Sequence, residues 1–438
     1  MINKINVAVQ TPSDMHDGAA SARIKMSPAR VRTLALINPM GDYGIDTYTY
    51  ELAQGLAANG VCVDTYCADA SILGTPPLHP NHHRYTVLGS RLWRNSLRNG
   101  QSSDSVQPSH AGAREPKRGF VARSPWGKFL RSQYLLAELS ALLRRRSYDA
   151  VWTQWADLGN YDGFWRISRF LRIPVVHTVH NILPHERYAG DIDAYRRAYE
   201  TARLLFVHSS QVRDEFSVLF PAQATKTVVV PHGSYTIYKR RPEARAAVRS
   251  ALQIPSDTTV LLFCGAIREY KNIDAAIESL SQLKRDDVIL VIAGSEPGEP
   301  SDPLAKTKET ISRAGVASRT RLVPGFLDQE KMSELFEASD ILLLPYSKSY
   351  GSGLLMLGMT FGKYIVATKA GMEEAASVYP RSILLDGADT ASVLRGIEIA
   401  IQRSRTEFAP FAGLPCEFDW INIGAKSLDE IGRVLTRG

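Results

Sequence analysis

Cysteine is scarce. Cys62, Cys67, Cys264 and Cys416 are scattered through 438 residues. Three of the four lie near apolar stretches, so buried free thiols are expected. Long hydrophobic runs are also missing. No window offers the roughly 18 uninterrupted apolar residues that span a bilayer. Residues 1–30 are polar and carry no apolar h-region, so no secretory signal is expected and the chain reads as cytoplasmic. What is present is the composition of a soluble globular protein, 44% apolar and 22% charged. A chain of this length exceeds one ordinary core and fits two.

The net charge of +7 is unevenly placed. Residues 84–146 hold 13 Lys/Arg against 3 Asp/Glu, a local excess of 10 that leaves −3 for the rest. Within this stretch residues 99–127 are poor in aliphatics and rich in Ser, Gly, Gln and Pro, which predicts a mobile, basic insertion spanning about 84–131. Two readings stay open. One is a solvated insertion. The other is a Trp-containing basic surface (Arg91, Trp93, Arg94, Arg98, Arg123, Trp126, Lys128, Arg131) that meets an anionic membrane, at the inner face of the plasma membrane, or a lipid-phosphate acceptor. Nucleic acid fits poorly, because the charge is confined to one loop with no nucleic-acid fold signature.

Residues 1–30 read as a disordered tail, and strand and helix patterns alternate beyond it. RTLALIN, VCVDTYC, DAVWTQW, IPVVHTVHN, LLFVHSS and TKTVVVPHG read as strands. A helix follows the turn PMGDYGID, capped by Asp46 and stopped at Gly60. HPNHH at 79–83 reads as loop. The polar segment from Tyr235 to Arg245 interrupts the rhythm. It then restarts with TVLLFCG, VILVIAG, TRLVPG, DILLLPY, KYIVATK and SILLL. The expected fold is α/β: two doubly wound, Rossmann-like domains facing across a cleft. The N-terminal domain spans 31–234 and the C-terminal one 235–416, with a final helix, 417–438, returning to the first.

Two apolar runs end in turns suited to phosphate. VLLFCGAIREYKN (260–272) places Arg268 and Lys271 after Gly265. ILLLPYSKSYGSGLLMLGMTFGK (341–363) places Gly351 and Gly353 where a strand gives way to a helix. Cations and bare backbone N–H groups at a helix N-terminus suit a diphosphate, although a solvated pair and a simple tight turn are the plainer readings. HTVHNILPHE carries His177, His180, His185 and Glu186. His177 and His180 are three apart on a strand and point to opposite faces, which argues against a shared metal. Asp-Ile-Asp at 191–193 opens a helix and reads as N-terminal helix charge.

Over residues 31–435 the chain resembles a GT-B glycosyltransferase of family 4. The resemblance rests on GAIREYKN, on Pro324-Gly325, on MTFGKYIVAT with Gly362 and Lys363, on FDW at 418–420, on PMGDYGID and on His180-Asn181. It implies a nucleotide diphosphate sugar donor, UDP- or GDP-linked with GDP-mannose left open. Arg268, Lys271, Gly265, Gly325, Ser349, Gly351, Ser352 and Gly353 would hold the donor. Gly41 and Gly44 would form the turn facing acceptor and phosphates, and His180 would face the sugar. Asp42 and Glu186 are the candidate bases should the reaction invert. Metal is expected to be dispensable. The acceptor would be a saccharide, lipid-linked, in extracellular polysaccharide or glycan synthesis. One departure stands out: the paired glutamates of retaining members fall at Ser349 and Leu357. That leaves the stereochemistry open, together with a non-catalytic scaffold and, more distantly, a nucleotide-sugar epimerase.

Overall fold

The computed structural model describes residues 31–38, 43–67, 77–87, 125–154, 168, 172–183, 191–296, 302, 304–407 and 413–436. Among them two parallel sheets form. The first holds β1 (Thr33–Asn38), β2 (Cys62–Cys67), β3 (His82–Thr86), β4 (Ala150–Thr153), β5 (Val175–Thr178), β6 (Leu204–Val207) and β7 (Thr227–Val229), ordered β3-β2-β1-β4-β5-β6-β7. The second holds β8 (Thr259–Ala266), β9 (Val288–Ser295), β10 (Thr320–Pro324), β11 (Ile341–Leu344), β12 (Tyr364–Thr368) and β13 (Ser382–Leu385), ordered β10-β9-β8-β11-β12-β13. Each sheet therefore reverses its winding once, between β1 and β4 and between β8 and β11.

The apolar runs form buried strands because helices cover both sheet faces. In β8 the first six residues are all buried. The helices of the first unit are α1 (Tyr43–Ala58), α2 (Pro125–Arg144), α3 (Asp191–Thr201) and α4 (Ser210–Leu219). Those of the second are α5 (Ala244–Ala251), α6 (Ile273–Gln282), α7 (Ala305–Arg313), α8 (Gln329–Ala338), α9 (Gly353–Thr360), α10 (Glu373–Ser377) and α11 (Thr390–Thr406). The last helix, α12 (Trp420–Thr436), packs against α1. Gly55 and Gly424 let the two backbones meet, since a Cβ on either would overlap the other helix.

Several expectations are corrected. Asp46 does not cap α1: the helix begins three residues earlier, and the carboxylate accepts from Asn38 Nδ2 at 2.6 Å. His82 and His83 are not loop but open β3, in register with Val63 and Asp64. Burial of His82 between Gln54 and Thr65 fixes that edge strand despite its poor strand propensity. The basic insertion is narrower than expected, because Arg84 to Thr86 belong to β3 and α2 begins at Pro125; residues 88–124 lie outside the described residues. Tyr235, Ile237 and Tyr238 are core rather than polar linker, each under 10% exposed. In α5, Arg245, the end of that polar segment, and Arg249 pair with Asp340 at 2.5 and 2.8 Å. Cys416 is exposed, unlike Cys67 and Cys264.

Candidate active site

The second sheet's switch point, between β8 and β11, opens into a cleft of about 410 Å³. Ligands of open α/β sheets settle at such a point, beyond the carboxyl ends of the strands. Gly265 and Ala266 end β8, Gly294 and Ser295 end β9, and Gly325 follows β10; all line the cleft. The strand ends crowd together here. Gly294 has φ +136 and a Cβ on it would overlap the Gly265 carbonyl, so only glycine permits this approach. Opposite them, Ser349 to Gly353 form a turn that enters α9. Ser349 Oγ donates to the Gly351 carbonyl at 2.8 Å and accepts from Gly351 N–H at 3.2 Å. Ser352 caps α9 by accepting from Leu355 N–H at 3.2 Å. The first N–H groups of α9 have no intrahelical carbonyl and carry the positive end of its dipole.

Lys271 is 8% exposed and the single charged residue among the described residues lining the cleft. The short 3-10 turn Glu269–Lys271 swings it back over β8. Its Nζ lies 5.6 Å from the Tyr346 ring centre, and a Cβ on Gly265 would come within 3.3 Å of it. Five tyrosines also line the cleft: Tyr235, Tyr238, Tyr270, Tyr346 and Tyr350. Sequence reasoning passed over them. Four of them stand in SYTIY and PYSKSY, two tyrosine pairs in polar connections, and Tyr270 in REYKN, but nothing local distinguishes a cleft tyrosine from a surface one.

The expected donor residues Gly265, Lys271, Gly325, Ser349, Gly351, Ser352 and Gly353 meet in this one cleft, together with Gly44 at the head of α1. Arg268 is half-buried and not among the described lining residues. Gly41, Asp42 and Glu186 lie outside the described residues. Leu357, at one of the two glutamate positions, also lines the cleft.

Asn181 lines the cleft, whereas His180 enters a chain of partly buried histidines behind it. Its Nδ1 lies 3.4 Å from His208 Nε2, and its Nε2 lies 3.0 Å from Gln154 Oε1. Tyr48 packs edge-on against His180 at 4.7 Å and tilts against His208 at 5.3 Å. Desolvation lowers His208 to about 4 and His180 well below its ordinary value, so both rings are neutral at pH 7. His208 Nδ1 faces the Val230 carbonyl at 3.2 Å and carries its proton there. Its Nε2 therefore accepts, and His180 Nδ1 donates. His180 Nε2 is then an acceptor facing an amide oxygen, while Gln154 Nε2 has no partner. Two acceptors cannot bond, so the amide turns over and donates.

Among the described residues, one trio of donor atoms lies within metal-ligating reach: Cys62, Asp64 and His83. The Arg146 guanidinium already sits there, 3.1 Å from both Cys62 Sγ and Asp64 Oδ1, and supplies the balancing charge.

Two family models match the chain. A glycosyl transferase 4-like domain matches residues 43–233, and glycosyl transferases group 1 matches residues 244–382. The split follows the two sheets. A D-inositol 3-phosphate glycosyltransferase of Streptomyces scabiei is 23% identical over 407 residues, covering 86% of this chain and 84% of that protein. Its counterpart in Acidothermus cellulolyticus is 24% identical over 407 residues, covering 85% and 83%. The catalytic domain of starch synthase IV from Arabidopsis thaliana, bound to ADP and acarbose, superposes with a TM-score of 0.64 at 11% identity, covering 93% of this chain and 99% of that one. HepE from Anabaena with UDP and glucose gives 0.61 at 16% identity, covering 93% and 98%. Fold and family matches together define a GT-B glycosyltransferase. Within that class the chain is a nucleotide-sugar-dependent transferase resembling family 4.

Proposed function

We propose that the protein moves a hexose from a UDP- or GDP-sugar, bound at the β8–β11 switch point, to a saccharide acceptor held against the first sheet. The observation that carries this is the cleft itself: one buried lysine, glycine strand ends and a helix N-terminus converge on a space of a size that would hold a diphosphate. In the reaction the anomeric C–O bond to the diphosphate breaks, the acceptor oxygen bonds to the anomeric carbon, and the acceptor's hydroxyl proton passes to the departing phosphate oxygen or to solvent. Negative charge grows on the departing diphosphate. Lys271 and the N–H groups of Gly353 and Leu354 are preorganised to meet it, so catalysis would not require a metal. The neighbours solved with UDP or ADP support a nucleoside diphosphate as the leaving group. The relatives named for inositol phosphate support a hydroxylated, anionic acceptor as the first to try beside lipid-linked saccharides.

Ser349 and Leu357 leave the sugar without the two carboxylates of retaining relatives. Ser349 Oγ and the tyrosine hydroxyls are the polar groups that would replace them. The test is a thermal-shift panel of UDP, GDP, ADP and their hexose conjugates, with and without EDTA, followed by turnover with inositol phosphate and lipid-linked acceptors. A ligand that binds only the folded state raises its stability. Stabilisation by one base, unchanged by EDTA and followed by sugar transfer, supports the reading. Binding without turnover points to a scaffold, and conversion of the sugar without acceptor to an epimerase. No shift with any nucleotide overturns the donor site.

A further inference from the structure

Tyr350 stands between Ser349 and Gly351, in the turn that lines the donor cleft. It belongs by sequence to the second unit, yet it is 3% exposed within the hydrophobic cluster of the first, with Tyr199, Val212 and Phe216. Its hydroxyl lies 3.3 Å from Glu215 Oε1 on α4. Lys348 reaches the same carboxylate at 3.7 Å and lies 5.0 Å from the Tyr350 ring centre. Two further contacts flank it on α4: Gly371 N–H donates to Gln211 Oε1 at 3.1 Å, and Ser210 N–H donates to Glu374 at 2.6 Å. The turn is stiff behind the ring. Ser349 is bonded to Gly351 on both sides of its hydroxyl, and a Cβ on Gly371 would overlap the Ser349 carbonyl.

We infer that Tyr350 is a positioning residue that locks the donor turn to the acceptor-side domain, so that the cleft takes its donor-binding shape only when the ring is seated beside Glu215. Withdrawing the ring moves Ser349 and Gly351, because the turn has no slack. The inference rests on the cleft being the donor site, but the lock itself is a property of the free protein. Seating the ring removes a large apolar side chain from water and shuts the gap over α4, whereas the Lys348 and Glu215 charges, each over 40% exposed, set its direction more than its strength.

The experiment measures two quantities on the full chain and on Tyr350→Phe, Tyr350→Ala and Glu215→Ala. The first is the distance between spin labels at Val218→Cys on α4 and Ile399→Cys on α11, both exposed, in a Cys416→Ser background. The second is affinity for UDP, GDP and ADP. For Tyr350→Ala a longer, broader distance is expected without ligand, with affinity for the bound nucleotide falling about tenfold or more. Tyr350→Phe and Glu215→Ala should keep most of the short distance. An unchanged distance in Tyr350→Ala overturns the lock, whether or not any nucleotide binds. If the wild type binds none, the donor reading fails separately, while the distance still decides the lock. A changed distance with wild-type affinity overturns the coupling. Should Tyr350→Ala fail to fold, Tyr350→Leu, which stays apolar but is too short to fill the place of the ring against α4, replaces it, with the same distance and affinity outcomes deciding the lock.

Discussion

Glu51 holds Thr236 twice: its carboxylate accepts the backbone N–H at 2.5 Å and the hydroxyl at 2.7 Å. A third bond comes from Ile237 N–H at 2.7 Å. Glu51 lies on α1 of the first unit, and the bonded segment carries the chain into the second. At 1% exposure, this carboxylate ties the crossing between the two halves to α1.

Glu51→Ala should cost about 2–4 kcal/mol, because it leaves the buried Ile237 N–H and the part-buried Thr236 N–H without their acceptor. Chemical denaturation measures it. Burial lifts Glu51 from 4.5 to about 7. The folded state then binds a proton more readily than the unfolded one. The associated stability is full below pH 4.5 and is lost as pH rises through 7. The difference in stability between wild type and Glu51→Gln should therefore move against wild type across that window. A flat difference would show that the carboxyl titrates normally.

Several histidines pull the other way. Burial or poor solvation lowers His82, His177 and His232 to about 3 and His208 to about 4. Each binds protons less readily folded than unfolded, so their stability contribution is present above pH 6.5 and lost as pH falls toward those values. Stability should decline steadily below pH 6.5. Nitrogen NMR of the imidazoles should show His180 and His208 neutral and protonated at Nδ1 from pH 5 to 8. Titration of either near 6.5 would break the proposed chain through Gln154.

Lys271→Ala should lower turnover about 100-fold, the scale of removing one preorganised donor to a charge that grows in the transition state. Arg268→Ala should lower it less, since Arg268 is not among the described lining residues. Steady-state kinetics with the nucleotide sugar found in the binding panel decide between them. Equal losses would place Arg268 on the diphosphate as well.

Trp420→Ala should destabilise the protein by about 3–5 kcal/mol, as large aromatic truncations do. The indole is 5% exposed, packs on Gly233 and Tyr48, and donates to the Ser234 carbonyl. A shift in the thermal midpoint tests it. A loss under about 1 kcal/mol would mean that α12 docks through its other residues.

Every strand but β3, the doubly wound class and most residues of the candidate cleft were legible in the chain. A parallel strand buried on both faces must be a continuous apolar run, and a turn that admits a phosphate must be short and glycine-containing. Both are local requirements, and β8 with Gly265 and Lys271 meets them in thirteen consecutive residues. What the tertiary structure decided is partnership between distant residues. Tyr350 reads as one tyrosine in a polar loop until α4 offers Glu215. Glu51 carries no local sign of its role until Thr236 and Ile237 bond to it. His180 reads as facing the sugar until His208 and Gln154 bond both its nitrogens. Arg245 ends a stretch that reads as polar until Asp340, just ahead of β11, pairs with it and with Arg249. In each case the side chain's environment is set by a segment tens to hundreds of residues away, and no local pattern carries that segment's position.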